Sequence, residues 1–203
     1  TTLPPTTTTT TTTTLPPTTT TTLPPTAVDY SFTNFNLTAN FVGVDLSWSN
    51  FTGANLSYGF FINSTLVGVN FSDATGTAVN FKNADLSNAN FTGSNFSHSQ
   101  LENTDLSNSN FTGTNVGYSI MNGADLKDAT FTNAVLNGAQ LIGAKVINTD
   151  MTNVDLRRTN FGSAIIRDST LTNTNLAHAS LIDARIISTD LSSASMLNVT
   201  LTR

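Results

Sequence analysis

Large apolar residues return every fifth position from Phe41 to Leu201. The series begins Phe41, Leu46, Phe51, Leu56, Phe61, Leu66 and Phe71, and it ends Leu181, Ile186, Leu191, Met196 and Leu201. Gly76 is its one member without a sizeable apolar side chain. Two residues before each large one stands a small one, such as Ala54, Ala84, Ala89, Ala124 or Ala144. A fixed period resets the fold question before any helix or strand is considered. Five matches neither the 3.6 of a helix nor the 2.0 of a strand, so the chain must turn a corner in every pentad.

The residue before each large one is most often Asn or Asp, as at Asn50, Asn55, Asn70, Asp85 and Asn90. Gly, Asn or Asp often follows two residues after it, as at Gly53, Asn83, Gly93 and Gly113. Such residues tolerate positive φ and bond nearby backbone, which suits tight turns. Each pentad is therefore a short extended piece plus a turn. The small and large residues are expected to point inward, and the other three outward.

A second period sets the number of sides. Every fourth pentad repeats in kind: Phe51, Phe71, Phe91, Phe111 and Phe131, or Leu46, Leu66, Leu86, Leu106 and Leu126. Twenty residues per circuit means four sides per coil, with like residues stacked on like. Opposite walls of the early core should pair Phe with Phe and Leu with Leu. About eight coils at roughly 4.8 Å would give a rod on the order of 40 Å long.

Ala54-Asn55-Leu56, Ala84-Asp85-Leu86, Ala89-Asn90-Phe91 and Ala124-Asp125-Leu126 make the chain resemble the pentapeptide-repeat family, whose pattern is A-(D/N)-L-x-x. The resemblance covers residues 39 to 203. It implies an all-β fold, a right-handed quadrilateral β-helix (β-solenoid). The roles of family members differ widely, so the fold says little about function.

Three segments are expected: a Thr/Pro-rich extended linker or stalk over 1–26, a capping or first-coil segment over 27–40, and the repeat over 41–203. The first contains only Thr, Pro and Leu and holds all six prolines. It lacks the apolar surface needed to offset its ordering entropy. Thr-rich stretches with Pro read as stalks outside the cell. A start at Thr1 reads as a processed or excised end, and an extracellular or cell-surface setting is expected. In the second segment Phe32 and Leu37 keep the five-residue spacing, out of phase with Phe41. They are taken as the first coil or a cap.

Composition narrows the chemistry. Charged residues make up 10% of the 203, with a net charge of −5, which does not suit phosphate-led nucleic-acid binding. There are no cysteines, hence no disulfides or thiolate metal sites. No run of about 18 apolar residues suggests a membrane span. His98 and His178 fall at outward turn positions about four coils apart and cannot share a metal. No catalytic set, metal site or cofactor motif is found, so the chain is read as a non-enzyme.

Three outward features are candidates for contact. Asp45, Asp85, Asp105 and Asp125 lie in one column as an acidic stripe. Neighbouring carboxylates at 4.8 Å repel by only about 1 kcal/mol in water, so turn-forming aspartates need no counter-ion. Ile142, Ile147, Ile182 and Ile187 gather on two adjacent sides as a contact patch. The last layers, with Leu191, Met196 and Leu201, have no evident cap and suggest an end-to-end interface. The rod is expected to be acidic early and slightly basic late.

The favoured function is a non-catalytic secreted or cell-surface scaffold that self-associates end to end into dimers or filaments. The alternative is implied by the family resemblance: a DNA-mimicking protein that binds a type II topoisomerase such as gyrase. Gly76 is expected to be a weak layer of the core, with Phe96 leaning over the missing side chain.

Overall fold

The computed structural model describes residues 27–201. The Thr/Pro-rich segment expected over 1–26 lies outside the described residues. From Phe41 onward most pentads repeat one local unit. The carbonyl of Phe51 accepts the N–H of Ala54 at 3.0 Å, and Gly53 between them has φ +63°. A positive φ at the third residue of a four-residue turn defines a type II turn. Extended residues on either side carry the chain to the next corner.

Parallel bridges join residues twenty apart: Asn50 with Asn70, Asn55 with Thr75, Phe60 with Asn80, and Thr65 with Asp85. These four columns repeat along the rod, so each coil has four sides. Each step uses two bonds. The N–H of Phe51 donates to the Asn70 carbonyl at 2.7 Å, and the N–H of Asn70 donates to the Ser49 carbonyl at 3.0 Å. Three bridges lengthen into short parallel strands, β1 (Lys145–Ile147), β2 (Ile165–Arg167) and β3 (Arg185–Ile187), paired in that order. There is no helix among the described residues.

The inward assignment holds. Phe51, Phe61, Phe71 and Phe81 are fully buried, as are Ala54, Val69 and Val79 at the small position. Phe51 stacks on Phe71 at 5.2 Å and Phe61 on Phe81 at 5.1 Å, while Phe51 meets Phe61 edge-on at 6.1 Å and 85°. Stacking thus runs along each wall, and edge-to-face contact crosses the core. Both are favoured ring geometries.

Buried hydroxyls serve backbone that the turns leave unpaired. The Ser99 hydroxyl accepts the N–H of Val79 at 3.2 Å and donates to the Gly76 carbonyl at 3.1 Å. Ser169 does the same for Thr149 N–H and the Val146 carbonyl, at 3.1 and 3.2 Å. A small inward Ser or Thr therefore acts as a hydrogen-bonding relay between coils, which its size alone did not signal.

Two expectations need correction. In the first coil Tyr30 and Phe35, not Phe32 and Leu37, pack against the core. Tyr30 stacks on Phe51 at 4.8 Å, whereas Phe32 and Leu37 occupy left-handed turn positions and are 79% and 70% exposed. The bridges Asp29–Asn50 and Asn34–Asn55 span 21 residues, so one extra residue enters before Asn40. Residues 27–40 accordingly join the stack as part of the first coil.

At Gly76 the Phe96 ring leans over the missing side chain as expected, and the second correction is that it leaves no gap in the layer. A Cβ at Gly76 would lie 2.1 Å from Phe96 Cε1 and 2.3 Å from Cδ1. The Phe96 ring, 1% exposed, fills the space and touches Phe71, Phe81 and Phe91 at centroid distances of 5.4, 5.6 and 5.1 Å.

Candidate functional site

Each corner of a coil places one residue in the left-handed region, and its identity separates one corner from the other three. Around those three, Gly, Asn and Asp predominate; from Phe41 onward the exceptions are Trp48, Ser163, Ser188 and Ser193. The fourth corner runs Tyr58, Ala78, His98, Tyr118, Gly138, Arg158, His178 and Asn198. Positive φ is uncommon for bulky side chains, and it costs an L-residue roughly 1–2 kcal/mol. This edge therefore carries large aromatic and cationic groups at positions where the backbone favours Gly or Asn.

The groups interact along the edge. His98 stacks on Tyr118 with centroids 5.3 Å apart and planes 19° from parallel. The Tyr118 ring then lies over Gly138, where a Cβ would sit 2.7 Å from two ring carbons. Trp48 covers Gly68 in the same manner, and Phe32 covers Gly53. Beyond Tyr118 opens a groove of about 380 Å³ lined by Tyr118, Asn137, Arg157, Arg158, Ala177 and His178.

The two arginines are held differently. Arg157 grips Asp155 with both arms of its guanidinium, Nε to Oδ1 at 2.8 Å and Nη2 to Oδ2 at 2.6 Å. Its hydrogen bonds and charge hold the Asp155 carboxyl below the usual carboxylate range, and the same contact raises Arg157. A planar fork on a carboxylate fixes orientation as well as charge. Arg158 forms no ion pair among the described residues. Sequence reasoning placed His98 and His178 correctly on this outward edge and assigned them no task. The signal it missed was the recurrence, every twenty residues, of bulky residues in a slot that favours Gly, Asn or Asp.

The acidic stripe is interrupted. Asp85, Asp105 and Asp125 are consecutive bridge partners, Thr65 separates Asp45 from Asp85, and Lys145 follows Asp125. Each aspartate accepts the N–H two residues on: Ser47 at 2.9 Å, Ser87 at 3.0 Å, Ser107 at 2.9 Å and Lys127 at 3.1 Å. Lys145 Nζ pairs with Asp125 at 2.9 Å. The carboxylates serve turns, and no group of three metal-binding side chains occurs among the described residues.

These turns make a pH prediction. Asp45 and Asp190 sit below the usual range because the hydroxyls and N–H groups of Ser47 and Ser192 bond them. At Asp150 burial opposes ionisation, but bonds from Thr152 and Thr132 outweigh it. Carboxyls depressed by folding add stability that is fully present above the unfolded value and is lost as pH falls through the folded one. The melting temperature should stay level from about pH 7 to 5 and decline below about pH 4. In Asp150→Asn with Asp190→Asn the acid decline should be shallower, as thermal melts across pH would show.

Ile142, Ile182 and Ile187 are exposed, and Ile147 is half-buried. Arg167 lies between Ile147 and Ile187 across β1, β2 and β3, so the patch is divided. The late layers open progressively: Leu181 is 4% exposed, Met196 38% and Leu201 62%, with Leu191 half-buried. The late coils are slightly basic as expected, with six cations and five carboxylates over residues 145–203. Residues 27–110 carry six carboxylates and one lysine, and residues 111–203 carry seven of each sign.

Comparison with known proteins agrees with this geometry. A family described as pentapeptide repeat region matches residues 33–111 and 75–141, and one described as pentapeptide repeats (8 copies) matches 134–173 and 164–203. Among solved structures the chain is similar to HetL, a pentapeptide repeat protein involved in heterocyst differentiation regulation from the cyanobacterium Nostoc sp. strain PCC 7120. The identity is 18%, the TM-score 0.56, and the match covers 83% of this chain and 87% of that one. It is also similar to QnrB1, a plasmid-mediated fluoroquinolone resistance protein, at 18% identity and TM-score 0.42, over 86% and 90% of the two chains. No curated protein matches the sequence. The repeat, the bridges and both family matches cover the chain from its first coil onward, and it belongs to the pentapeptide-repeat family.

Proposed function

We propose that the chain is a right-handed quadrilateral β-helix of about eight coils that acts as a non-catalytic scaffold, secreted or displayed at the cell surface, and associates end to end. One observation carries the association. Through the stack, the N–H of each large inward residue donates to the carbonyl nineteen residues on, as Leu176 does to Ser195 at 2.8 Å. Among the described residues Leu191 and Met196 have no such acceptor, and the carbonyls of Asn34, Asn40 and Asp45 have no such donor. The two ends are thus complementary in the bonds already used inside the rod. Open strand edges of this kind are templates for pairing, and a head-to-tail contact that does not close builds filaments. Exposed Met196, Leu197 and Leu201 would be covered by the aromatic first coil around Tyr30, Phe35 and Phe41.

The topoisomerase alternative draws support from Asp85, Asp105 and Asp125, but their column continues as Lys145, Ile165 and Arg185. A reversal of sign weakens it as a DNA mimic.

Sedimentation velocity tests the association. The mass average should rise with concentration into the high micromolar range. Met196→Glu should return the protein to monomer by placing a charge in the apolar contact. A monomer at all concentrations, unaffected by the substitution, would end the proposal.

A further inference from the structure

We propose that the groove between Tyr118 and His178 is a binding site for a tetrahedral oxyanion, a phosphate or sulfate ester carried on a small ring. The inference does not depend on end-to-end association. Its first support is the cost of the site. Tyr118, Arg158 and His178 have φ of +58°, +58° and +62°, where Asn or Gly would relieve the backbone. Strained positions persist where they are over-determined by their surroundings, and they cluster at ligand sites.

The second support is the chemistry gathered there. Arg158 has no carboxylate partner among the described residues. Arg157 is oriented by its two bonds to Asp155, at 2.8 and 2.6 Å, and its remaining donors are free of that carboxylate. His178 adds a third nitrogen donor set, and Tyr118, its ring packed between His98 at 5.3 Å and Gly138, lines the groove with its remaining edge. Ala177 and Asn137 complete the lining without adding charge. Asp155 offsets the charge of Arg157, so Arg158 supplies the net attraction. Guanidinium groups match oxyanions through several charge-assisted bonds, and the edge of an aromatic ring packs against the face of another. At about 380 Å³ the groove is within the usual size of small-molecule sites.

The same backbone argument makes the test resistant to misfolding. Arg158→Asn, His178→Asn and Tyr118→Asn each install a residue suited to the left-handed slot, so the melting temperature should be unchanged or higher. Phenyl phosphate, phenyl sulfate, inorganic phosphate and inorganic sulfate are titrated into the full chain by calorimetry or NMR. At least one phenyl ester should bind in the millimolar range or tighter, and the phosphate and sulfate arms identify which oxyanion is preferred. Arg158→Asn should weaken it about tenfold, as expected for a lost charge-assisted bond. Tyr118→Asn should abolish the advantage of the phenyl ester over the free ion. Arg185→Asn, which removes a cation on another side, should change nothing. No binding of any probe, or equal weakening by Arg185→Asn, would overturn the proposal.

Discussion

Phe91→Ala is expected to cost about 3–5 kcal/mol, the range for truncating a core aromatic. Phe91 is 1% exposed and stacks between Phe71 and Phe111 at 5.1 and 4.4 Å, with edge contacts to Phe81 and Phe96 at 6.3 and 5.1 Å. The wall positions around it are already filled, by these four rings and by buried Leu86 and Leu101. The loss should be local, since each coil touches only the next. Hydrogen exchange should therefore quicken in the coils containing Phe71, Phe91 and Phe111 before it does near Phe161. Asn50→Ala, which removes outward bonds to Thr52 at 3.0 and 2.7 Å, should cost about 1 kcal/mol. Equal losses in urea titrations would contradict the assignment of inward and outward faces.

Gly76→Leu should destabilise the rod by about 1–3 kcal/mol, the usual range for overpacking. The new side chain would enter space held by Phe96, 2.1 Å from its Cε1. Gly76 has no positive φ of its own, so the penalty should arise from that clash and not from backbone strain. Gly76→Leu with Phe96→Leu restores the commoner leucine ladder, continuing Leu56 below, and should recover most of the loss. A neutral single change would show that the ring can move aside. A double variant no better than the single would show that Gly76 is needed for some other reason.

The two positions illustrate how much was legible beforehand. The five- and twenty-residue periods placed every wall from Phe41 onward, because burial of one large and one small residue per pentad leaves no other phase open. Gly76 was visible as an anomaly and Phe96 as the ring that leans over it, but whether that ring fills the layer was not. Whether a missing side chain leaves a hole depends on the rotamer of a neighbour twenty residues away, and the sequence contains no record of that. The first coil was misread for a related reason. Both Tyr30 with Phe35 and Phe32 with Leu37 keep a spacing of five, and the extra residue before Asn40 is compatible with either frame until bridges to Asn50 and Asn55 are known.

The candidate site was harder still. Its residues lie twenty or more apart and include no familiar catalytic or metal-binding set. What marks them is a conflict between residue type and backbone, with Tyr118, Arg158 and His178 at positive φ. Local rules tend to be broken where function requires it, and here the repeat grammar makes the breach visible once the corners are aligned. The Asp column shows the converse. Asp45, Asp85, Asp105 and Asp125 look like a charged stripe in sequence, yet each follows the grammar and bonds the N–H two residues on.

The proposed end-to-end association rests on the bonding of the first and last described coils, and particle shape tests it most directly. Electron micrographs of the chain at rising concentration should show rods of constant width whose length grows in steps of one molecule. The steps should disappear in Met196→Glu. Particles that remain one molecule long at every concentration, or that widen without lengthening, would contradict the account.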